Sequence, residues 1–326
     1  MTQGLGRFEY FLIKLDELLL AASRTNNAAL YLYENDCRTK VFMLQGLCKL
    51  YAGMHNEKRF LKLKERFKQL EDLLGAIDYY DSYLKPFIKE KKLPATAIKF
   101  ITAKKNEKIA ALNTLLLKRK WINHSPLRTK KIRKQLLKMS WQTPEKEAEL
   151  IQVFYKKSIE SINTFYTQTG DNFTDIETQL HELRRKLRWL SIYPQALLGC
   201  IQLTNSKIKD PKVAKYLIPE IVNSAFNKMP PKKNVEEIII IEKNYFLALS
   251  YTIAALGKLK DNGLKYIITT EAIQATTKLT EAQALKKAYE LHGLKTDALK
   301  TIMAKAKKLC VPFFEEKNLE KMIASF

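Results

Sequence analysis

The chain has 326 residues, 46% of them hydrophobic, and a formal net charge of +23. Ten glycines and ten prolines are too few turn-formers for a sandwich or barrel, and 15 Phe, 15 Tyr and 3 Trp are too many large apolar side chains for a disordered chain. Four scattered cysteines (Cys37, Cys48, Cys200, Cys310) with no CxxC pair exclude a dense disulfide framework and the common zinc modules, and they read as buried thiols of a reducing compartment.

In chain order the apolar residues recur at helical spacing. Phe8, Phe11, Leu12, Leu15, Leu18 and Leu19 form one stripe. Leu61, Phe67, Leu70, Leu73 and Leu74 form a second, expected to end near Gly75. Helix starts are marked by Leu93-Pro94, Thr143-Pro144 and Asp210-Pro211, and capping boxes by Thr174 with Glu177 and Thr280 with Gln283. The β-branched run Ile238–Ile241 is too short and too isolated to predict a sheet. No apolar run reaches the ~18 residues needed to span a bilayer, and the N-terminus lacks the pattern of a signal peptide. These features predict an all-α, cytoplasmic protein with no membrane partner.

The positive charge is unevenly placed. Between Lys85 and Lys138 there are 17 Lys/Arg and two acids, Glu90 and Glu107, and no acid at all from 109 to 144. Lys131, Lys134 and Lys138 recur at steps of three and four, with Arg128 preceding them and Arg133 to the side. Without nearby counter-charges such a segment repels itself unless an anion offsets it, which points to anion binding.

Two pairs of segments repeat. Residues 73–83 (LLGAIDYYDSY) and 255–265 (ALGKLKDNGLK) each place Leu-Gly late in a long apolar stretch. Residues 35–44 (NDCRTKVFML) and 181–190 (HELRRKLRWL) match Arg38 to Arg184 and Lys40 to Lys186, with Asn35 at the position of His181. In the second member His181, Arg184 and Arg188 share a helix face bordered by Arg185, beside a stripe of Leu180, Leu183, Leu187 and Leu190. Forked guanidinium donors and an imidazole beside a packed stripe suit phosphate oxygens.

The His-x-Leu-Arg-basic-Lys-Leu-Arg run, the Leu-Gly turn with a following Asp and their duplication resemble the conserved histidine α-helical domain, CHAD. The resemblance implies two pseudo-symmetric antiparallel helical bundles, here residues 1–142 and 143–326, with a basic histidine-containing groove between them. It implies non-catalytic binding of inorganic polyphosphate and no cofactor or metal. The matched residues are His181, Arg184, Lys186 and Arg188, and in the first half Arg38 and Lys40. Asn35 replaces the first-half histidine, and Phe42, Met43 and Gln45 replace basic residues. Lys58, Lys62 and Arg66, on one helix face, and the segment 118–138 are expected to compensate. The candidate anion-binding set is therefore His181, Arg184, Arg185, Lys186, Arg188, Arg38, Lys40, Lys62, Arg66, Arg128, Lys131, Lys134 and Lys138.

The absence of GxxxxGK[ST] and HExxH argues against an enzyme. Nucleic-acid backbone binding is the alternative, together with a basic protein-interaction scaffold. His55, His124 and His292 lack ligand-like neighbours and are expected at surfaces or turns.

Overall fold

The computed structural model describes residues 2–122, 127–169, 172–204, 210–232, 235–294 and 297–326; His124 lies outside them. The chain is mostly helical and divides into two compact units. Unit 1 comprises Met1–Trp141 and Lys265–Thr296, and unit 2 comprises Gln142–Leu264 and Asp297–Phe326. The segment 265–296 thus belongs with the first unit, not with residues 143–326 as the sequence suggested. Packing explains this: Ile268 and Ala272 share a core with Tyr80, Leu84, Phe87, Leu93, Ala97 and Ile101.

Unit 1 begins with α1 (Gln3–Ala22), α2 (Ala28–Glu34), α3 (Cys37–Ala52), α4 (Glu57–Glu90), α5 (Ala95–Lys118) and α6 (Leu127–Leu136). Of the predicted α1 stripe, Phe8, Phe11, Leu12, Leu15 and Leu19 are buried and Leu18 half-buried. Phe8 meets Tyr51, Phe60 and Trp141, and Arg7 Nη1 donates to the Tyr51 hydroxyl across 2.7 Å. The chain does not turn at Gly75: α4 continues to Glu90. Its buried stripe is Phe60, Leu63, Phe67, Leu70, Leu74 and Ile77, while Leu61 faces solvent.

One carboxylate lies inside this packing. Asp81, only 2% exposed, accepts from the Tyr33 hydroxyl at 2.9 Å and Lys105 Nζ at 2.6 Å and pairs with Lys85 at 2.7 Å. Burial alone would raise its pKa, but the hydrogen bonds from Lys105, Lys85 and Tyr33 outweigh it and hold the carboxyl at about 2.

Unit 2 contains α7 (Pro144–Gln168), a π-helical turn (Ile176–His181), α8 (Glu182–Ala196), β1 (Ile201–Leu203), a 3-10 turn (Pro211–Tyr216), α9 (Pro219–Val222), a second 3-10 turn (Ala225–Asn227) and β2 (Ile239–Ile241). Next comes α10 (Lys243–Thr276), within which the division between units falls. α11 (Glu281–Leu291) belongs to unit 1, and α12 (Ala298–Glu315) and α13 (Asn318–Met322) to unit 2. The isoleucine run does pair, contrary to expectation. Ile239–Ile241 forms a short parallel ladder with Ile201–Leu203, allowed because the long intervening segment supplies the crossover a parallel pair requires. Ile201, Ile239 and Ile241 are buried there.

Thr143 caps α7 and the Thr280–Gln283 capping box closes on α11. The Thr174 box is built differently. Asp175 is the cap, accepting from the Thr178 amide at 2.6 Å, and Gln179 Oε1 accepts from the Thr174 amide at 2.6 Å. The wider π turn, in which Leu180 N donates to Asp175 O, brings Gln179 rather than Glu177 back to the start. The four cysteines are free and buried, and burial pushes the Cys37 and Cys310 thiols up to about 12. Among the described residues no helix is long and apolar enough to cross a membrane.

Asp81 generates a test by acid unfolding. Its carboxyl titrates at about 2 in the fold against 3.8 ordinarily, so its contribution is complete above pH 3.8 and is lost as pH falls toward 2. Asp81→Asn should cost about 3 kcal/mol in urea unfolding at neutral pH and flatten the stability profile between those two pH values. An unchanged profile would show that Asp81 is not held as described.

Candidate functional site: a cationic pocket and two arginine seats

The cations are gathered in unit 1 by two helical faces. On α4 the buried side carries Phe60, Leu63 and Phe67, so Arg59, Lys62 and Arg66 stand together toward solvent at steps of three and four. On α6 the buried side carries Thr129, Ile132 and Leu136, with Trp121 buried nearby against Phe67. This leaves Arg128, Lys131, Gln135 and Lys138 on the opposite face. The start of α6 is tied back to the end of α5: Arg128 N donates to Lys120 O at 3.1 Å and Arg128 Nε to Arg119 O at 2.8 Å. Across the gap Arg66 Nη1 donates to Gln135 Oε1 at 2.7 Å.

Between these faces lies a cavity of about 290 Å³ lined by Arg59, Lys62, Gln135, Lys138 and Met139. No carboxylate lines it. Among the described residues, none pairs with Arg59, Lys62, Arg66 or Lys138. The nearby acids of α1 are committed elsewhere: Glu9 accepts from Arg133 Nε at 2.9 Å and Asp16 from Arg133 Nη1 at 2.5 Å. The strain of like charge is visible at Arg128, whose pKa is lowered first by burial and then by repulsion from Arg66 and Arg119.

Of the predicted set, Lys62, Arg66, Arg128 and Lys138 therefore converge. Lys131 and Lys134 are exposed on α6 and do not line the cavity. Arg59, Gln135 and Met139 were missed. Arg59, three residues before Lys62, takes the place expected of Lys58, and its spacing from Lys62 and Arg66 was legible in the sequence.

The two repeated arginine segments do something else. Arg38 Nε donates to Glu71 at 2.9 Å and Nη1 to Asp78 at 2.9 Å, and its guanidinium lies across Gly75. A β-carbon there would stand 2.8 Å from Nη2. In unit 2 Arg184 Nε donates to Ile253 O at 3.2 Å and lies across Gly257, where a β-carbon would stand 2.9 Å from Nε. Each glycine sits inside a long helix because a guanidinium occupies the space of its missing side chain.

Their neighbours are also engaged by nearby groups. Lys40 pairs with Asp36 at 3.0 Å, Arg185 with Glu182, and Lys186 approaches Glu182 at 3.9 Å and the Phe165 ring at 5.1 Å. His181 Nδ1 meets Glu177 Oε2 at 2.8 Å. That bond lowers the Glu177 pKa against an opposing effect of burial, with further help from Lys260. Arg188 lies half-buried on the same face, and Leu180, Leu183, Leu187 and Leu190 are fully buried beneath.

The other described histidines lie at turns, as expected, and pack half-buried against aromatic rings. His55 stacks on Tyr51, and His292 lies between Phe87 and Tyr266 with Nε2 at 3.0 Å from Thr269 Oγ1. Burial, and then the charge of Lys265, lowers the His292 pKa to about 4. Among the described residues no group of three or more His, Cys, Asp or Glu could hold a metal ion.

Compared with family models, curated proteins and solved structures, the chain matches none.

The arginine seats predict a coupling. Replacing a mid-helix glycine by alanine ordinarily stabilises by about 1 kcal/mol. Gly75→Ala should realise that gain only in an Arg38→Ala background, and Gly257→Ala only with Arg184→Ala. Double-mutant cycles in urea should give couplings of about 1 kcal/mol; additive effects would remove the arginines from the glycine faces.

Proposed function

We propose that the chain is a divergent relative of the CHAD family that binds inorganic polyphosphate without transforming it, and that the unit 1 pocket is its principal anion site. The observation that carries the reading is the carboxylate-free pocket of Arg59, Lys62 and Lys138, flanked by Arg66 and Arg128. Fixed cations held against their own repulsion gain most from an anion that bridges them. A flexible chain of phosphoryl groups satisfies several at once through charge-assisted hydrogen bonds. Among the described residues the lining contains no aromatic ring on which a base could stack, which favours a bare phosphate chain over single-stranded nucleic acid. It offers donors and one amide but no carboxylate or thiol to act as base or nucleophile, which favours binding over catalysis.

Two pseudo-symmetric helical bundles form part of the same proposal. Arg184 stands to Gly257 as Arg38 stands to Gly75. The acceptor in each half, Ile253 O or Glu71, comes four residues before its glycine. Lys186 meets Glu182 as Lys40 meets Asp36. These matched contacts support duplication of one arginine-on-glycine unit. On this reading Arg38 and Arg184 hold the fold, and the ligand falls to the pocket cations.

Polyphosphate binding by calorimetry over a salt series tests the reading. Arg59→Ala, Lys62→Ala and Lys138→Ala combined should weaken binding at least about tenfold near 0.1 M salt and reduce the slope of log K against log salt by about 2, at roughly 0.7 per contact. Circular dichroism should be unchanged. RNA should be displaced by polyphosphate at lower phosphate-equivalent concentration. Binding unaffected by the triple variant would place the site elsewhere, and displacement in the opposite order would favour nucleic acid.

A further inference from the structure

The most exposed large apolar side chain described is Phe226, at 85%. It belongs to unit 2 and lies outside the anion site. Two aliphatic residues accompany it. Ile218 and Val222 bracket α9 four residues apart, so they share its outer side, and both are exposed while Ile221 is turned inward. Asn227 Nδ2 donates to Ile221 O at 2.8 Å, which folds the second 3-10 turn back on α9. Asn227 and Ile221 are buried by that contact, and their neighbours Phe226 and Val222 come out on the solvent side.

The ring is displayed on a fastened backbone. Gln195 Nε2, at the end of α8, donates to Phe226 O at 3.2 Å and to Lys228 O at 2.9 Å. Ser250 Oγ on α10 donates to Asn227 Oδ1 at 2.6 Å, and Phe226 N donates to Ser224 Oγ at 3.3 Å. The carbonyls of Phe226 and Lys228 are thus tied to α8, and the side chain of Asn227 to α10. Little conformational freedom remains to be lost when the ring is buried. An apolar side chain held this way in water has no folding role, since it touches almost nothing of its own chain.

In departure from the sequence expectation of no membrane partner, we propose that Ile218, Val222 and Phe226 form an interfacial anchor that inserts into the surface of an anionic lipid bilayer without crossing it. Three features select this occupant. At 85% exposure the Phe226 ring lies in no groove of the described residues that could grip a peptide, whereas a bilayer accepts a protruding side chain. Its companions are aliphatic, which adds to partition into acyl chains but not to base stacking. Its flanking charge is complementary: across 211–232 Lys212, Lys228 and Lys232 are exposed, Lys215 pairs with Glu316, and Glu220 is the sole acid. Exposed lysines close in sequence to an inserting aromatic add attraction for anionic headgroups to the contribution of the buried apolar area.

The test uses the full chain and vesicles of phosphatidylcholine with and without phosphatidylserine. The wild type should sediment with the anionic vesicles. Phe226→Ala should lower the partition coefficient about tenfold, and Phe226→Leu should retain most of it. The Arg59, Lys62 and Lys138 triple variant separates this site from the anion pocket. The further loss caused by Phe226→Ala should be the same in that background. In Phe226→Trp, emission should shift to the blue on anionic vesicles and be quenched by brominated acyl chains beyond the quenching of the wild-type tryptophans. Vesicle binding indifferent to Phe226, or a tryptophan that stays in water, would overturn the proposal. So would a blue shift driven by single-stranded RNA, or one that grows with protein concentration in the absence of lipid, which would assign the tip to base stacking or to a second copy of the chain.

Discussion

A chain with 57 basic and 34 acidic side chains cannot pair every cation, so its fold is governed by where the scarce carboxylates go. The structure commits them selectively. Glu9 and Asp16 converge on Arg133, Glu71 and Asp78 on Arg38, and the buried Asp81 gathers Tyr33, Lys85 and Lys105. Each arrangement joins helices distant in sequence or satisfies a polar group inside the packing, where an unpaired charge would be costly. What remains on the outer faces of α4 and α6 is a group of cations that, among the described residues, have no acid paired with them. The stability of the fold and the proposed anion site thus arise from one allocation.

The arginine seats show how a small residue can serve a long-range contact. A mid-helix glycine costs about 1 kcal/mol relative to alanine, and two long helices each carry that cost at the point where an arginine crosses them. The approach gives Arg184 a backbone carbonyl and Arg38 two carboxylates. Position-specific donors of this kind fix the register of a helix against its neighbour in a way that interchangeable leucines do not. On the face that most resembled a ligand surface in sequence, Arg184 is spent on a contact within the fold, while the open cations lie outside the repeated segments, at 59–66 of α4 and on and just after α6.

The two surfaces proposed for function differ in chemistry. The unit 1 pocket presents forked and pointed donors with no ring nearby, and suits an anion recognised by charge alone. The Phe226 tip presents an apolar ring on a backbone tied to α8, in a segment with exposed lysines, and suits a soft, negatively charged surface. Both depend on charge and weaken with salt, but only the second depends on apolar burial.

The all-α class, the leucine stripe of α8, the caps at Thr143 and Thr280, the burial of the cysteines and the density of charge before residue 138 were written in local composition and periodicity, because helical burial has a period that a linear chain displays. The continuation of α4 and α10 through their glycines was not, since the residue that fills each space comes from a remote helix and glycine alone reads as a breaker. The role of Glu177 was hidden by a π turn, which shifts the reach of every side chain in it by one position. Lys58 and Arg59 could not be separated without knowing which side of α4 is buried, nor could the placement of 265–296 be known before Ile268 and Ala272 met the core of α4 and α5. Sequence by itself determined which residues are apolar, which are charged and with what period they recur; only the tertiary structure decided which charges neutralise one another, because pairing depends on distances that the chain order does not contain.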